Sequence, residues 1–227
     1  MKRLLTLILT LTLLLTMAAF PALAEESAAE DEGAAWPVLE LKGAAVGLYC
    51  DGYGEKFRYQ TFSGPGDGYS LAGAYLPRKV TVMALGRENG YALLDVEYNG
   101  GRRCVYLEDK YVTGAEREEI AVTPVPARTN ARIAEMFYGP GNQYDVVRQR
   151  TKSRYANMSM AQLMKIFNGD MNRIRKALRD VFPHVEMVGG ARVSVLYEVN
   201  GWVCIESDCT VLGKTRTWVP ADQVTAE

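Results

Sequence analysis

The 227 residues contain one histidine, His184. Imidazole chemistry therefore has one place to sit, directly after Pro183, and no local signature ties it to a cysteine. The four cysteines include no Cys-x-x-Cys pair, and with a single histidine they do not make a zinc-ligand set. The glycine-rich Gly64-Pro65-Gly66 has no following Lys-Ser/Thr, which a phosphate-cradling loop requires. Neither charge sign dominates: 26 Lys and Arg stand against 27 Asp and Glu, so the whole chain lacks the basic footprint of a nucleic-acid binder. Long apolar runs are missing too, apart from one near the start. The expectation is a protein with no catalytic residues, no metal, no cofactor, no nucleic-acid partner and no transmembrane segment once that first run is removed.

That run lies in Met1–Ala24. Lys2 and Arg3 form a basic start, Leu4 to Leu15 is nearly all apolar, and Ala22-Leu23-Ala24 is a small-x-small cleavage site, the layout of a secretory signal peptide. The run is short for a membrane span. Residues 25–43 follow as an acidic leader, with Glu25, Glu26, Glu30, Asp31, Glu32 and Glu40, which reads as a disordered, solvated tether. Export makes disulfides permissible for Cys50, Cys104, Cys204 and Cys209. Four cysteines allow three pairings. Pairing within halves, Cys50 with Cys104 and Cys204 with Cys209, is the economical one, the first worth about 4 kcal/mol by chain entropy. Free buried thiols are the alternative.

Two phrases organise the rest: Phe62-Ser63-Gly64-Pro65-Gly66-Asp67-Gly68-Tyr69 and Phe137-Tyr138-Gly139-Pro140-Gly141-Asn142-Gln143-Tyr144. Proline pre-sets φ and glycine takes positive φ, so each phrase predicts a rigid type II bend between extended segments. After the first bend come a β-branched run over Lys79 to Leu85, the hairpin signal Glu88-Asn89-Gly90, alternation over Tyr91 to Tyr98, the turn Asn99-Gly100-Gly101 and a strand over Cys104 to Leu107. Thr123-Pro124-Val125-Pro126 reads as a proline-spaced linker. The order then recurs: Val193 to Tyr197, Asn200-Gly201-Trp202, Val203 to Ser207, Gly213, and Thr217-Trp218-Val219. Such self-similarity predicts two copies of one small β unit.

The phrase Gly-Pro-Gly-x-x-Tyr, then a strand, then Asn-Gly-aromatic, then a final Tyr/Trp-hydrophobic step, resembles the bacterial SH3-like domain family. The resemblance covers most of Val46 to Val112, then Ile133 to Val146 and Arg192 to Val224. It implies a mainly β fold of two small SH3-like barrels, at residues 44–113 and 131–227 with a linker at 114–130. It also implies a non-catalytic role, commonly attachment to cell wall or peptide, which makes the protein secreted or envelope-associated with a cell-wall polymer, peptide or protein as partner. The alternatives are an assembly protein docking other exported proteins and, further off, a Cys/His hydrolase.

The second copy departs from the family at about 145–184, where an insertion reads as two helices. Ser159 and Gln162 form a capping box. Met160, Leu163, Met164 and Phe167 keep helical spacing, as do Met171, Ile174, Leu178 and Val181. The insertion holds nine basic residues against three acidic ones, a local charge of +6. Arg173, Lys176 and Arg179 are therefore candidates for an anionic polymer, with Leu163, Phe167, Ile174 and Leu178 holding the helices down. Tyr69, Tyr91, Tyr144 and Trp202, which follow the bends and hairpins, are candidates for a ligand groove, since aromatic rings receive proline-rich peptides in SH3-type folds. Tyr106 and Trp218 read as core.

Overall fold

Alternation with a two-residue period places each central strand's side chains on opposite faces, and here both faces are buried. Tyr91–Tyr98 sends Ala92, Leu94 and Val96 into one cluster and Leu93 into another. The computed structural model describes residues 36–49, 54, 56–148, 155, 158–181, 184–210 and 212–227, without the side chains of 178–181. These residues belong to one unit, Ala34–Glu227. Among them are twelve strands in two antiparallel sheets and two α-helices, a mainly β protein.

The first sheet contains β1 (Ala44–Leu48), β2 (Arg58–Phe62), β3 (Leu71–Pro77), β4 (Thr81–Glu88), β5 (Tyr91–Tyr98), β6 (Gly101–Glu108) and β7 (Val112–Gly114), in the order β3-β2-β6-β5-β4-β1-β7. The second contains β8 (Val125–Thr129), β9 (Arg192–Val199), β10 (Trp202–Cys209), β11 (Gly213–Pro220) and β12 (Val224–Ala226), in the order β11-β10-β9-β8-β12. The second order repeats β6-β5-β4-β1-β7 strand for strand, and a single 3-10 turn precedes the last strand in both. Asn89-Gly90, Asn99-Gly100 and Asn200-Gly201 all take positive φ at both residues, the requirement of a type I′ hairpin turn. The helices α1 (Met160–Ile166) and α2 (Met171–Val181) lie in the second half, between the second bend and β9. Ser159 and Gln162 form the predicted capping box, and Asp170 Oδ1 accepts from the Asn172 and Arg173 amides at 3.0 and 3.1 Å to start α2.

The described residues form three cores. One lies within the first sheet, around Tyr59, Leu94 and Val105. The second lies within the other sheet, around Ile133, Ile205 and Val219. The third joins the sheets: Leu93, Cys104 and Tyr106 from the first meet Leu196, Tyr197, Cys204 and Trp218 from the second. Tyr106 and Trp218 are buried, as expected of core aromatics.

Two boundaries need correction, and one strand adds to the expected set. The segment read as a linker supplies β8: the amide-less Pro126 is tolerated there because its carbonyl accepts from Glu227 at 3.0 Å while its neighbours keep the ladder. The end of the leader is anchored. Trp36 is buried in the second sheet's core, and Pro37 and Leu39 exchange backbone hydrogen bonds with Glu198 at 2.8 and 2.9 Å. The strand β3 was not foreseen at all. Of the leader, residues 25–35 lie outside the described residues, as do Met1–Ala24.

Candidate functional site: two reciprocal clamps and the Trp202 cleft

The bends are not type II turns. In each, the second glycine's amide bonds to the first glycine's carbonyl across the proline at 3.0 Å, and the tyrosine amide bonds to the second glycine's carbonyl at 3.2 Å, with the same values in both copies. The proline is thus the centre of a γ-type turn. This folds the tyrosine ring back over the first glycine, and a Cβ on Gly64 or Gly139 would overlap the ring of Tyr69 or Tyr144. The first glycine is required by ring contact rather than by its φ.

Each folded tyrosine then reaches into the other half. Tyr69, from the first half, donates to Glu206 Oε2 on β10 at 2.5 Å, and the Ser70 amide bonds to the Lys214 carbonyl at 2.8 Å. Tyr144, from the second half, donates to Asp95 Oδ2 on β5 at 3.1 Å, and the Asp145 amide bonds to the Arg102 carbonyl at 2.8 Å. A cation covers each ring, Lys214 at 4.5 Å and Arg102 at 5.1 Å. Asp95 and Glu206 occupy the same position, four residues after the aromatic that follows Asn-Gly. Two of the predicted ligand residues, Tyr69 and Tyr144, are therefore spent on holding the halves together. Burial raises both phenols above their usual range, aided by Glu206 for Tyr69 and by Cys104 and Asp95 for Tyr144.

Between the clamps lies a buried ion pair. Arg216 donates to both oxygens of Glu88, at 2.6 and 3.0 Å, and to Glu206 at 3.0 Å and the Tyr106 hydroxyl at 3.1 Å. Burial opposes the Arg216 charge, but the Glu88 hydrogen bonds outweigh it and raise the guanidinium above its usual range. Glu206 is likewise opposed by burial, yet the Tyr69, Arg216 and Lys214 hydrogen bonds hold it below the usual carboxylate value. Tyr106 and Tyr197 meet hydroxyl to hydroxyl at 3.4 Å, and burial drives both phenols up.

Tyr91 and Trp202 take no part in the clamps and both stay partly exposed, and Trp202 lines a cleft. Trp202 is half-buried and packs edge-on against Phe137, centroids 5.2 Å apart. The pair lines an open cleft of about 520 Å³ with Pro220. Two polar pairs also line it: His184 Nδ1 with Glu135 at 2.9 Å, and the Arg132–Glu186 ion pair at 3.0 Å from Nε. Asn142, on the second bend, also lines it. Tyr91, at the equivalent position in the first half, packs edge-on to Phe62 at 6.2 Å. A recess of about 550 Å³ lies at the β5–β6 turn, lined by residues that include Glu97, Tyr98, Arg102 and Gln143.

Arg173 and Lys176 are exposed on α2, as expected, and the Arg179 side chain lies outside the described residues. Leu163 and Ile174 are buried as predicted; Phe167 is only half-buried against Tyr155, centroids 5.4 Å apart, and Ala177 is buried as well.

The disulfide expectation fails where it can be tested. Cys104, Cys204 and Cys209 are free thiols. Cys204 and Cys209 lie on one strand, where five residues separate Cα atoms by about 17 Å, far beyond disulfide reach. Cys50 lies outside the described residues. Burial pushes the Cys204 thiol up to about 12 and the Cys104 thiol higher still. No described cysteine lines the cleft that holds His184, and among the described residues no group of three or more His, Cys, Asp or Glu could hold a metal ion. No described helix is long and apolar enough to cross a membrane.

No protein-family model matches the sequence, and no curated protein matches it. Among solved structures, NlpC1 from Trichomonas vaginalis aligns at 11% identity with a TM-score of 0.27, over 84% of this chain and 48% of that one. NlpC2 from the same organism aligns at 11% identity and a TM-score of 0.27, over 83% and 50%. The chain spans about half the length of either.

Proposed function

We propose that the protein is an exported, non-catalytic binding module of the cell envelope, in which two SH3-like copies, fused face to face, present the Trp202 cleft to a cell-wall polymer or peptide. The observation that carries this reading is the half-buried Trp202, braced by the buried Phe137, in an open cleft with polar lining residues. A partly exposed indole braced by a second ring is a rigid, low-entropy surface for a sugar face or an extended peptide. The polar pairs lining it offer both donors and acceptors for orientation. The clamps support the reading by fixing Asn142 and the second bend beside that cleft.

The test is sedimentation with purified cell wall and titration with wall-derived peptides. Trp202→Ala should weaken binding about thirtyfold, the loss of about 2 kcal/mol expected of a central aromatic anchor, with an unchanged far-ultraviolet spectrum. Undiminished binding by a folded Trp202→Ala protein would refute the cleft. Absence of wall affinity together with a stable complex with another exported protein would favour the assembly reading instead. Export is checked by the N-terminus of protein recovered outside the cytoplasm, expected at Glu25.

A further inference from the structure

The helix pair has a surface whose composition does not match a plain solvated face. Toward the body of the protein α1 and α2 bury Leu163, Ile174 and Ala177. On the outside stand Met160, Met164, Ile166 and Met171, between 40% and 51% exposed. Four of the ten exposed large hydrophobic residues among those described therefore fall within residues 160–171. The same helix pair carries the exposed cations Lys165, Arg173, Arg175 and Lys176. The acid among them, Asp170, is occupied by capping α2 and by an ion pair with Arg173 at 3.4 Å. Residues 158–177 carry four basic side chains against that one acid, a net +3.

We propose that this face is an interfacial docking surface for a bilayer with anionic headgroups. The argument turns on the apolar residues. A soluble polyanion rewards the four cations and gains nothing from exposed methionine. A lipid surface rewards both: basic side chains meet the headgroup phosphates while deformable thioether chains seat at the headgroup–acyl boundary. The same charges without the methionines would fit a wall polymer, and the same methionines without the charges would fit a protein groove. Both together fit an anionic membrane surface. This is separate from the Trp202 cleft, whose lining includes no residue of α1 or α2, and neither site needs the other to be occupied.

Flotation of the full chain with vesicles tests it. Binding to mixed phosphatidylglycerol and phosphatidylcholine vesicles should be at least about tenfold tighter than to phosphatidylcholine alone, and should weaken as salt rises. Arg173→Glu with Lys176→Glu should remove that preference. Met160→Ser, Met164→Ser and Met171→Ser together should weaken vesicle binding about tenfold at unchanged charge. Soluble poly(glycerol phosphate) is the control. If it binds while vesicles do not, or if the serine variant binds vesicles as the parent does, the lipid assignment is overturned. Equal binding of the parent to neutral and anionic vesicles overturns it without any variant. Retained wall or peptide binding by the serine variant shows that the cleft reading stands or falls separately.

Discussion

Arg216→Met is the sharpest test of how the two halves are held. The Arg216 and Glu88 side chains are 6% and 7% exposed, so solvent screens neither. Desolvating two ions costs several kcal/mol each, and their attraction roughly repays it, so the intact pair contributes little net stability. Removing the guanidinium is different. Glu88 loses both donors, at 2.6 and 3.0 Å, and its carboxylate stays buried without a counter-charge, at a cost of about 3–5 kcal/mol. With a urea m-value of about 2 kcal/mol/M, the midpoint should fall by about 2 M. Glu206 is cushioned, because Lys214 at 3.1 Å and Tyr69 at 2.5 Å still serve it. Lys214→Met, at a site 45% exposed, should cost under about 1 kcal/mol. The double variant Arg216→Met/Glu88→Met should recover most of the loss, since a buried pair replaced by apolar side chains is near neutral. Unfolding followed by fluorescence of Trp202 and Trp218 measures the parent, Arg216→Met, Glu88→Met, the double variant and Lys214→Met. If the double variant loses the sum of the single losses, the two side chains act alone and the reasoning fails.

Much of the β unit was legible because its signals are local. Asn-Gly pairs specify hairpins through φ, and β5 alternates cleanly, so strands and turns followed. The helices were legible from Ser159, Gln162 and their apolar spacing. β3 was hidden because Leu71 and Tyr75 are exposed while Ala72 and Ala74 are buried: the outward face is the more hydrophobic one, which reverses the pattern. β8 was hidden by Pro124 just before it and Pro126 inside it. The clamps were invisible for a different reason. A tyrosine after a bend reads the same whether its hydroxyl meets a ligand or Asp95, because the partner comes from the other half of the chain. One signal was available. Asp95 and Glu206 recur at one position in both copies, and an acid repeated inside an otherwise apolar strand needs a partner. Arg216, a charged residue between Thr215 and Thr217 in a buried strand, was a second. The cleft's polar lining was not legible, since Glu135 and His184 are brought together only by the return of the chain after α2.

Three more outcomes follow from the same geometry. Tyr106, Tyr144 and Tyr197 have folded-state values raised by burial, so above the unfolded value near pH 10 the unfolded chain loses protons that the folded one keeps. Stability should be intact below that pH and fall as pH rises, by about 1.4 kcal/mol per pH unit for each masked phenol, and phenolate absorbance should appear together with loss of circular dichroism rather than before it. Alkylation at neutral pH, read by mass, should leave Cys104 and Cys204 unmodified in the native protein and modify both in urea, because the thiolate is the reacting species and burial suppresses it at both. The last outcome concerns the halves themselves. Cutting the chain at Thr123 separates the sheets, but it also strips Leu93, Cys104 and Tyr106 from Leu196, Tyr197 and Trp218, removes Trp36 from the second sheet's core, and uncovers Glu88 on one fragment and Arg216 on the other, each without its partner. Each fragment then exposes an apolar face together with an unpaired charge, and neither should give a cooperative unfolding transition alone. Mixed together they should refold as one complex, since each bend carries its own tyrosine and finds its carboxylate on the other fragment. Independent, cooperative folding of either fragment, with a midpoint near that of the whole chain, would mean that the reciprocal clamps join two finished domains instead of completing them.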